Sequence, residues 1–216
     1  HKNICNPLSI YALFLSAVAN KNKSIISCEQ TPKNIYYLNE ILAFFPQAKV
    51  INMVRDQRAV LLSQKNKWKR RFLGASKIPL FEAIRSYINY HPILTSKVWN
   101  GSLEQSVEYS NNERVKIVKF EELLAKPESV VKDICNFLAI AFHPQMLNIP
   151  IVGSSTEQDN KDSFLLDSSK IEKWKKGGLN SAEIYLSQLM SHKMMSKFSY
   201  HLEKFQNLFE NEKEKF

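Results

Sequence analysis

Cysteine is scarce in this 216-residue chain. Cys5, Cys28 and Cys135 are an odd number with no CxxC spacing, which argues against a disulfide framework and a zinc site and points to a reducing, cytoplasmic setting. Glycine is also sparse: five residues, at 74, 101, 153, 177 and 178, and none stands between a strand-like run and a helix-like one, where a phosphate-cradling loop would need it. No apolar run approaches the length of a membrane span, and no signal peptide is visible. His91 and His143 have no partner at metal-ligand spacing, so both read as structural and no metal is expected. No internal repeat and no clear boundary divides the chain, which predicts one domain over residues 1–216.

What is present suits a globular protein. Hydrophobic residues make up 44% and aromatics 11%, enough to bury a core. Thirty Lys and Arg against 21 acids give a net charge of +9, which favours an anionic partner such as a nucleotide, a sulfated or phosphorylated ligand, nucleic acid or membrane headgroups. The cations are scattered apart from "KNKWKRRF" at 65–72, which speaks against a nucleic-acid groove. That run reads as a solvated helix end whose charges suit the local dipole, with a collar for an acidic acceptor as the alternative. The chain opens at His1 rather than Met and soon reads as helix, so a natural N-terminal portion is expected to precede it.

Alternating elements follow. Helical spacing covers Pro7 to Asn20, a short strand is predicted over Ser24–Cys28, and a helix over Asn34–Phe45 is entered after Pro32 and closed before Pro46. A strand over Lys49–Val54 leads into a helix capped by Asp56. Helical sequence fills Ile78 to Val107, interrupted by Pro79 and Pro92, before the strand "RVKIVKF" at 114–120. Helices are expected over Glu121–Ala125 and Pro127–Ala139, a loop over Pro150–Ser163, a short helix in "SSKIEKWKKGG", and a helical tail from Ala182 to Glu212. The alternation with short links predicts an α/β class: a parallel sheet flanked by helices.

Ligands of open parallel sheets gather at the carboxyl ends of strands. Three such ends carry distinctive chemistry: "CEQTPK" at 28–33, "VRD" at 54–56 and "KFEE" at 119–122. Arg55 offers a forked donor for phosphate oxygens. Ser63 follows Asp56 by seven residues, about 700° around the helix, so it returns to nearly the same face. Arg55 and Ser63 could therefore grip one phosphate together. The competing reading is an ion pair of Arg55 with Asp56 or with a helix-end carboxylate.

At these residues the chain resembles the sulfotransferase family. "CEQTPKNIYYLNEILAFFPQAKVINMVRDQRAVLLSQ" is similar to its pattern of Glu-Lys-Thr-Pro, helix, Phe-Pro, strand, Val-Arg-Asp and a Ser eight residues after the Arg. "VKFEELLAKPESVVKDICNFLAIAF", "SSTEQ" at 154–158 and "KIEKW" at 170–174 extend the likeness over nearly the whole chain. The resemblance implies a P-loop nucleotide-hydrolase-like sulfotransferase fold and sulfuryl transfer from 3'-phosphoadenosine 5'-phosphosulfate (PAPS) to a hydroxyl or amine acceptor, without a metal. It implies that Arg55 and Ser63 bind the 3'-phosphate, that Phe120 lies near the adenine, and that Ser155 touches the transferring group.

Two departures stand against the pattern. Gln30 occupies the position where the family has a catalytic Lys; its amide donates a hydrogen bond but cannot neutralise growing charge, unless Lys33 folds back to compensate. The family's phosphosulfate-cradling loop and general base have no counterpart, so the fold is expected to be truncated at its N-terminus and this chain alone inactive. Carbohydrate, lipid, tyrosyl peptide and small alcohol all stay open as acceptors, and the oligomeric state is open too. Three competitors remain: a P-loop-type small-molecule kinase, a nucleic-acid binder, and a catalytically silent nucleotide-binding scaffold.

Overall fold

The computed structural model describes residues 6–151, 154–155, 157–164, 166 and 168–204. The chain forms two compact units, His1–Ala48 and Lys49–Phe216.

The first unit is helical. Helix α1 (Pro7–Lys21) is capped by Asn6, whose side chain accepts from the Leu8 amide, and Pro7 takes the first turn, where no amide is needed. The strand expected over Ser24–Cys28 does not form. Ile25 and Ile26 are exposed, and without a neighbouring strand to satisfy their amides an extended run gains nothing from its β propensity. "CEQTPK" therefore does not stand at a strand end. The expected helix over Asn34–Phe45 splits into a 3-10 segment, Pro32–Tyr37, and helix α2 (Leu38–Phe44), with Ile35, Leu38 and Leu42 buried.

The second unit is built on two parallel strands, β1 (Val50–Val54) and β2 (Val115–Lys119), in the register Val50 opposite Val115 through Val54 opposite Lys119. Parallel strands need a long crossover, here made of α3 (Gln57–Lys65), a 3-10 segment Lys67–Phe72, α4 (Leu80–Ile88) and α5 (Pro92–Glu108). After β2 come α6 (Phe120–Ala125) and α7 (Pro127–Leu138), the latter with Pro127 in its first turn and Ala139 closing it in a left-handed conformation. The expected loop at 150–163 contains a small antiparallel hairpin, β3 (Pro150–Ile151) and β4 (Asn160–Phe164). Helix α8 (Ser181–Lys197) starts with a reciprocal Asn180–Glu183 capping box; positions 205–212 of the predicted tail lie outside the described residues.

The core of this unit gathers Val54, Trp99, Leu103 and Met195, drawn from β1, α5 and α8. Ser96, Ser106, Ser187 and Ser191 are almost wholly buried in α5 and α8, and such small side chains let packed helices approach closely. A second cluster of Ala59, Leu62 and Trp174 holds the 3-10 segment Lys173–Lys176 against α3. The carboxyl end of β1 thus opens directly onto the start of α3, with α6 beside it.

Candidate functional site

Arg55 follows the last residue of β1, and its main-chain carbonyl accepts from the Trp99 indole at 2.9 Å. That bond ties the turn to α5. The guanidinium lies over the Phe120 ring, 4.4 Å from its centroid, because Phe120 begins α6 immediately after the parallel partner strand ends. Nε of Arg55 is buried with no hydrogen-bond partner among the described residues. Burial pushes the Arg55 pKa down, while Glu121, Asp56 and Tyr200 favour its charge; a guanidinium titrates so high that it stays charged throughout.

Those carboxylates are engaged elsewhere. Glu121 accepts from the Asp56 amide at 2.9 Å and from the Tyr200 hydroxyl at 3.0 Å. Burial pushes the Tyr200 pKa up, and proximity to Glu121 pushes it further the same way, so the phenol remains a donor. Asp56 caps α3 through the Arg58 amide at 2.8 Å and is clasped by the Arg58 guanidinium. Arg58 also donates to Gln188 at 2.9 Å and lies 3.9 Å over the Trp174 ring. The ion-pair alternative is therefore realised by Arg58, not by Arg55. Arg55 keeps donor capacity at a strand end, the arrangement that suits an anion.

Ser63 lies two turns along α3, and its hydroxyl meets that of Ser155 at 3.1 Å. Ser155 is buried in the loop that joins β3 to β4. The structure thus pairs the expected site residues as Arg55 with Phe120 and Ser63 with Ser155. Gln30 and Lys33 belong to the first unit, where both are exposed.

Sequence reasoning did not identify Glu121, Tyr200, Trp99, Arg58 or Trp174 as supports of this site. "KFEE" marked Glu121 as an acid at a strand end, but its partners come from residues far along the chain. Within "KNKWKRRF", Lys65 is tied to Glu183 at 2.7 Å and Arg71 donates to the Ser76 and Ile78 carbonyls, so part of the basic run is structural. His91 caps α5, its Nδ1 accepting from the Ile93 amide at 3.3 Å, a structural role.

A sequence model described as the sulfotransferase family matches residues 6–144, well over half of the chain. The chain belongs to the sulfotransferase family. A protein from Caenorhabditis elegans, provisionally named a protein-tyrosine sulfotransferase, is 26% identical over 154 residues, 69% of this chain and 54% of that protein. Its provisionally named Caenorhabditis briggsae counterpart is 25% identical over 138 residues, 62% of this chain and 45% of that protein. The chain spans about half the length of these relatives. Among solved structures, the sulfotransferase domain of the Synechococcus PCC 7002 olefin synthase superposes with a TM-score of 0.54 at 22% identity, covering 80% of this chain and 56% of that domain. The sulfotransferase domain from the curacin biosynthetic pathway gives 0.48 at 20% identity, covering 80% and 60%. The fold of this family member is α/β, with parallel strands and helices around them.

Proposed function

We propose that this chain is the nucleotide-binding part of a PAPS-dependent sulfotransferase that transfers a sulfuryl group to a hydroxyl or amine acceptor. The observation that carries the reading is Arg55: a strand-end guanidinium backed by the Phe120 ring, with a buried Nε that has no partner among the described residues. A buried donor left unsatisfied is costly, and a phosphate oxygen would satisfy it once the side chains around Nε give way. Ser63 adds a hydroxyl from α3. Phe120 serves twice, holding the guanidinium on one face and flanking the adenine.

In the transfer, an acceptor oxygen or nitrogen forms the new bond to sulfur and gives up its proton to water while the bond from sulfur to the bridging oxygen breaks, and 3'-phosphoadenosine 5'-phosphate (PAP) leaves with that electron pair. Such loose transition states depend on positioning and on donors aimed at charged oxygens. Arg55 and Ser63 supply the positioning by holding the 3'-phosphate. Gln30 stands where family resemblance places a Lys, and a neutral amide is a weaker stabiliser of a leaving oxygen than an ammonium. That substitution favours a second reading, a relative that binds the nucleotide and turns it over slowly or not at all.

Equilibrium titration separates these classes. PAP is expected to bind at least roughly tenfold more tightly than ATP with Mg²⁺ or than AMP, a difference of about 1.4 kcal/mol. Preference for ATP with Mg²⁺ would support a small-molecule kinase instead. If PAP binds as expected but PAPS is never consumed with any acceptor, the silent reading holds.

A further inference from the structure

We propose that α4 and the basic 3-10 segment Lys67–Phe72 form a face that docks on an anionic membrane surface. The inference does not depend on the nucleotide reading. Its basis is the way α4 lies in the fold. Leu80, Phe81, Ile84, Tyr87 and Ile88 are each half or more exposed, whereas Ala83 is the buried residue of the helix. At 100° per residue the exposed apolar side chains share one stripe about 120° wide. An apolar helix stripe ordinarily faces a core; this one faces water. Contiguous exposed apolar surface marks an interaction site.

The stripe continues into the 3-10 segment. The Tyr87 and Trp68 ring centroids lie 5.8 Å apart, and those of Trp68 and Phe72 6.1 Å. Phe72 is itself exposed. Cations stand among these rings. Lys67 and Lys69 are exposed, with the Lys69 ammonium 5.6 Å from the Trp68 centroid. Arg85, paired with Glu82 at 3.2 Å, borders the stripe on α4. Residues 65–81 include no acid. Lys65 is engaged by Glu183, and Arg71 by the Ser76 and Ile78 carbonyls just ahead of α4, which holds the segment beside the helix.

An anionic bilayer fits this combination. Headgroups attract the cations across about a Debye length, while Trp and Tyr rings settle at the interface with the apolar body inward and the polar tip in water. The aliphatic side chains of α4 can then enter the boundary between headgroups and acyl chains. A second copy of the chain fits poorly. A two-fold interface sets each patch against itself, which brings Lys67 and Lys69 of both copies together, where like charges repel.

The test is co-sedimentation of the full chain with large unilamellar vesicles of phosphatidylcholine containing about a third phosphatidylserine. The wild type should partition onto them at least roughly tenfold more strongly than onto phosphatidylcholine alone, and about 0.5 M salt should remove most of that preference. Phe81→Ser with Ile84→Ser alters exposed side chains, so folding is spared, and should weaken partitioning at least roughly tenfold. Lys67→Gln with Lys69→Gln should weaken it roughly fivefold for each cation. Trp99 and Trp174 are buried, so quenching by brominated phosphatidylcholine in the vesicles should report on Trp68. No partitioning by the wild type, or partitioning that the serine pair leaves unchanged, overturns the proposal. A solution dimer that the serine pair converts to monomer assigns the face to a second copy, and tighter binding to poly-glutamate than to the vesicles assigns it to an acidic protein; either result overturns the proposal as well.

Discussion

The carboxylate of Asp56 is clasped by Arg58, through Nη2 at 2.6 Å and Nε at 3.0 Å, and not by its sequence neighbour Arg55. Both members of the pair are buried, with side chains 4% and 8% exposed. A buried pair broken by removing one partner leaves an uncompensated charge.

Asp56→Ala should therefore destabilise the fold by about 3–5 kcal/mol, since it strands Arg58 and removes the α3 cap. Arg55→Ala, which deletes a cation whose Nε has no partner among the described residues, should cost no more than about 2 kcal/mol, the upper range for its contact with the Phe120 ring. Urea denaturation of the two variants checks the contrast. Comparable losses would place Arg55 in the structural framework.

Phe120 contributes its ring face to Arg55. Phe120→Leu keeps apolar volume but loses the cation–π contact, worth about 0.5–2 kcal/mol. PAP affinity should fall roughly two- to thirtyfold, with AMP affinity also reduced because the proposed adenine contact is lost. Unchanged binding of both nucleotides would confine Phe120 to packing.

Glu183 joins three elements, accepting from Lys65 at 2.7 Å, the Tyr90 hydroxyl at 2.8 Å and the Asn180 amide at 2.8 Å. Burial alone would raise its pKa, but these donors outweigh it and hold the carboxyl below its usual range. A depressed folded-state pKa means stability that is fully present above the unfolded value of about 4.3 and lost as pH falls through the lower folded value. The stability gap between wild type and Glu183→Gln should be constant from pH 7 to about pH 5.5 and shrink below that. A gap that persists unchanged at pH 3 would show that ionisation of Glu183 contributes nothing.

Gly74 adopts φ +130, and a Cβ there would meet the Asp159 side chain. Gly74→Ala should destabilise by about 1–3 kcal/mol, and pairing it with Asp159→Gly, which also removes the Asp159 Cβ that would lie 2.6 Å away, should recover only the steric part. Full recovery in the double variant would show that the backbone conformation itself carries no strain.

Local chemistry was legible in the sequence, and pairings over long stretches were not. Asp56 could be read as a cap because the bond it makes lies within two residues, and β1 and β2 were plain as short apolar runs before charged turns. The Ser24–Cys28 prediction failed because a strand depends on a neighbour that sequence periodicity cannot supply. The β3–β4 hairpin was hidden because its strands are short and one is largely polar, "NKDSF". Which arginine would take Asp56 was equally hidden. Arg55 and Arg58 are both within reach along the chain, and the choice falls to Trp174 and Gln188, more than one hundred residues away, which hold Arg58 in place.

Arg55 is proposed as the cation that receives the nucleotide's 3'-phosphate, and PAP titration of three proteins tests that role most directly. Against wild type, Arg55→Ala should lose on the order of a hundredfold in affinity, the scale for deleting one member of a buried charge pair. Lys69→Ala, which removes an exposed cation lying 5.6 Å from the Trp68 ring centroid, should change affinity less than about threefold. Equal losses in the two variants would mean that PAP is attracted only by the protein's overall positive charge, and would contradict the site.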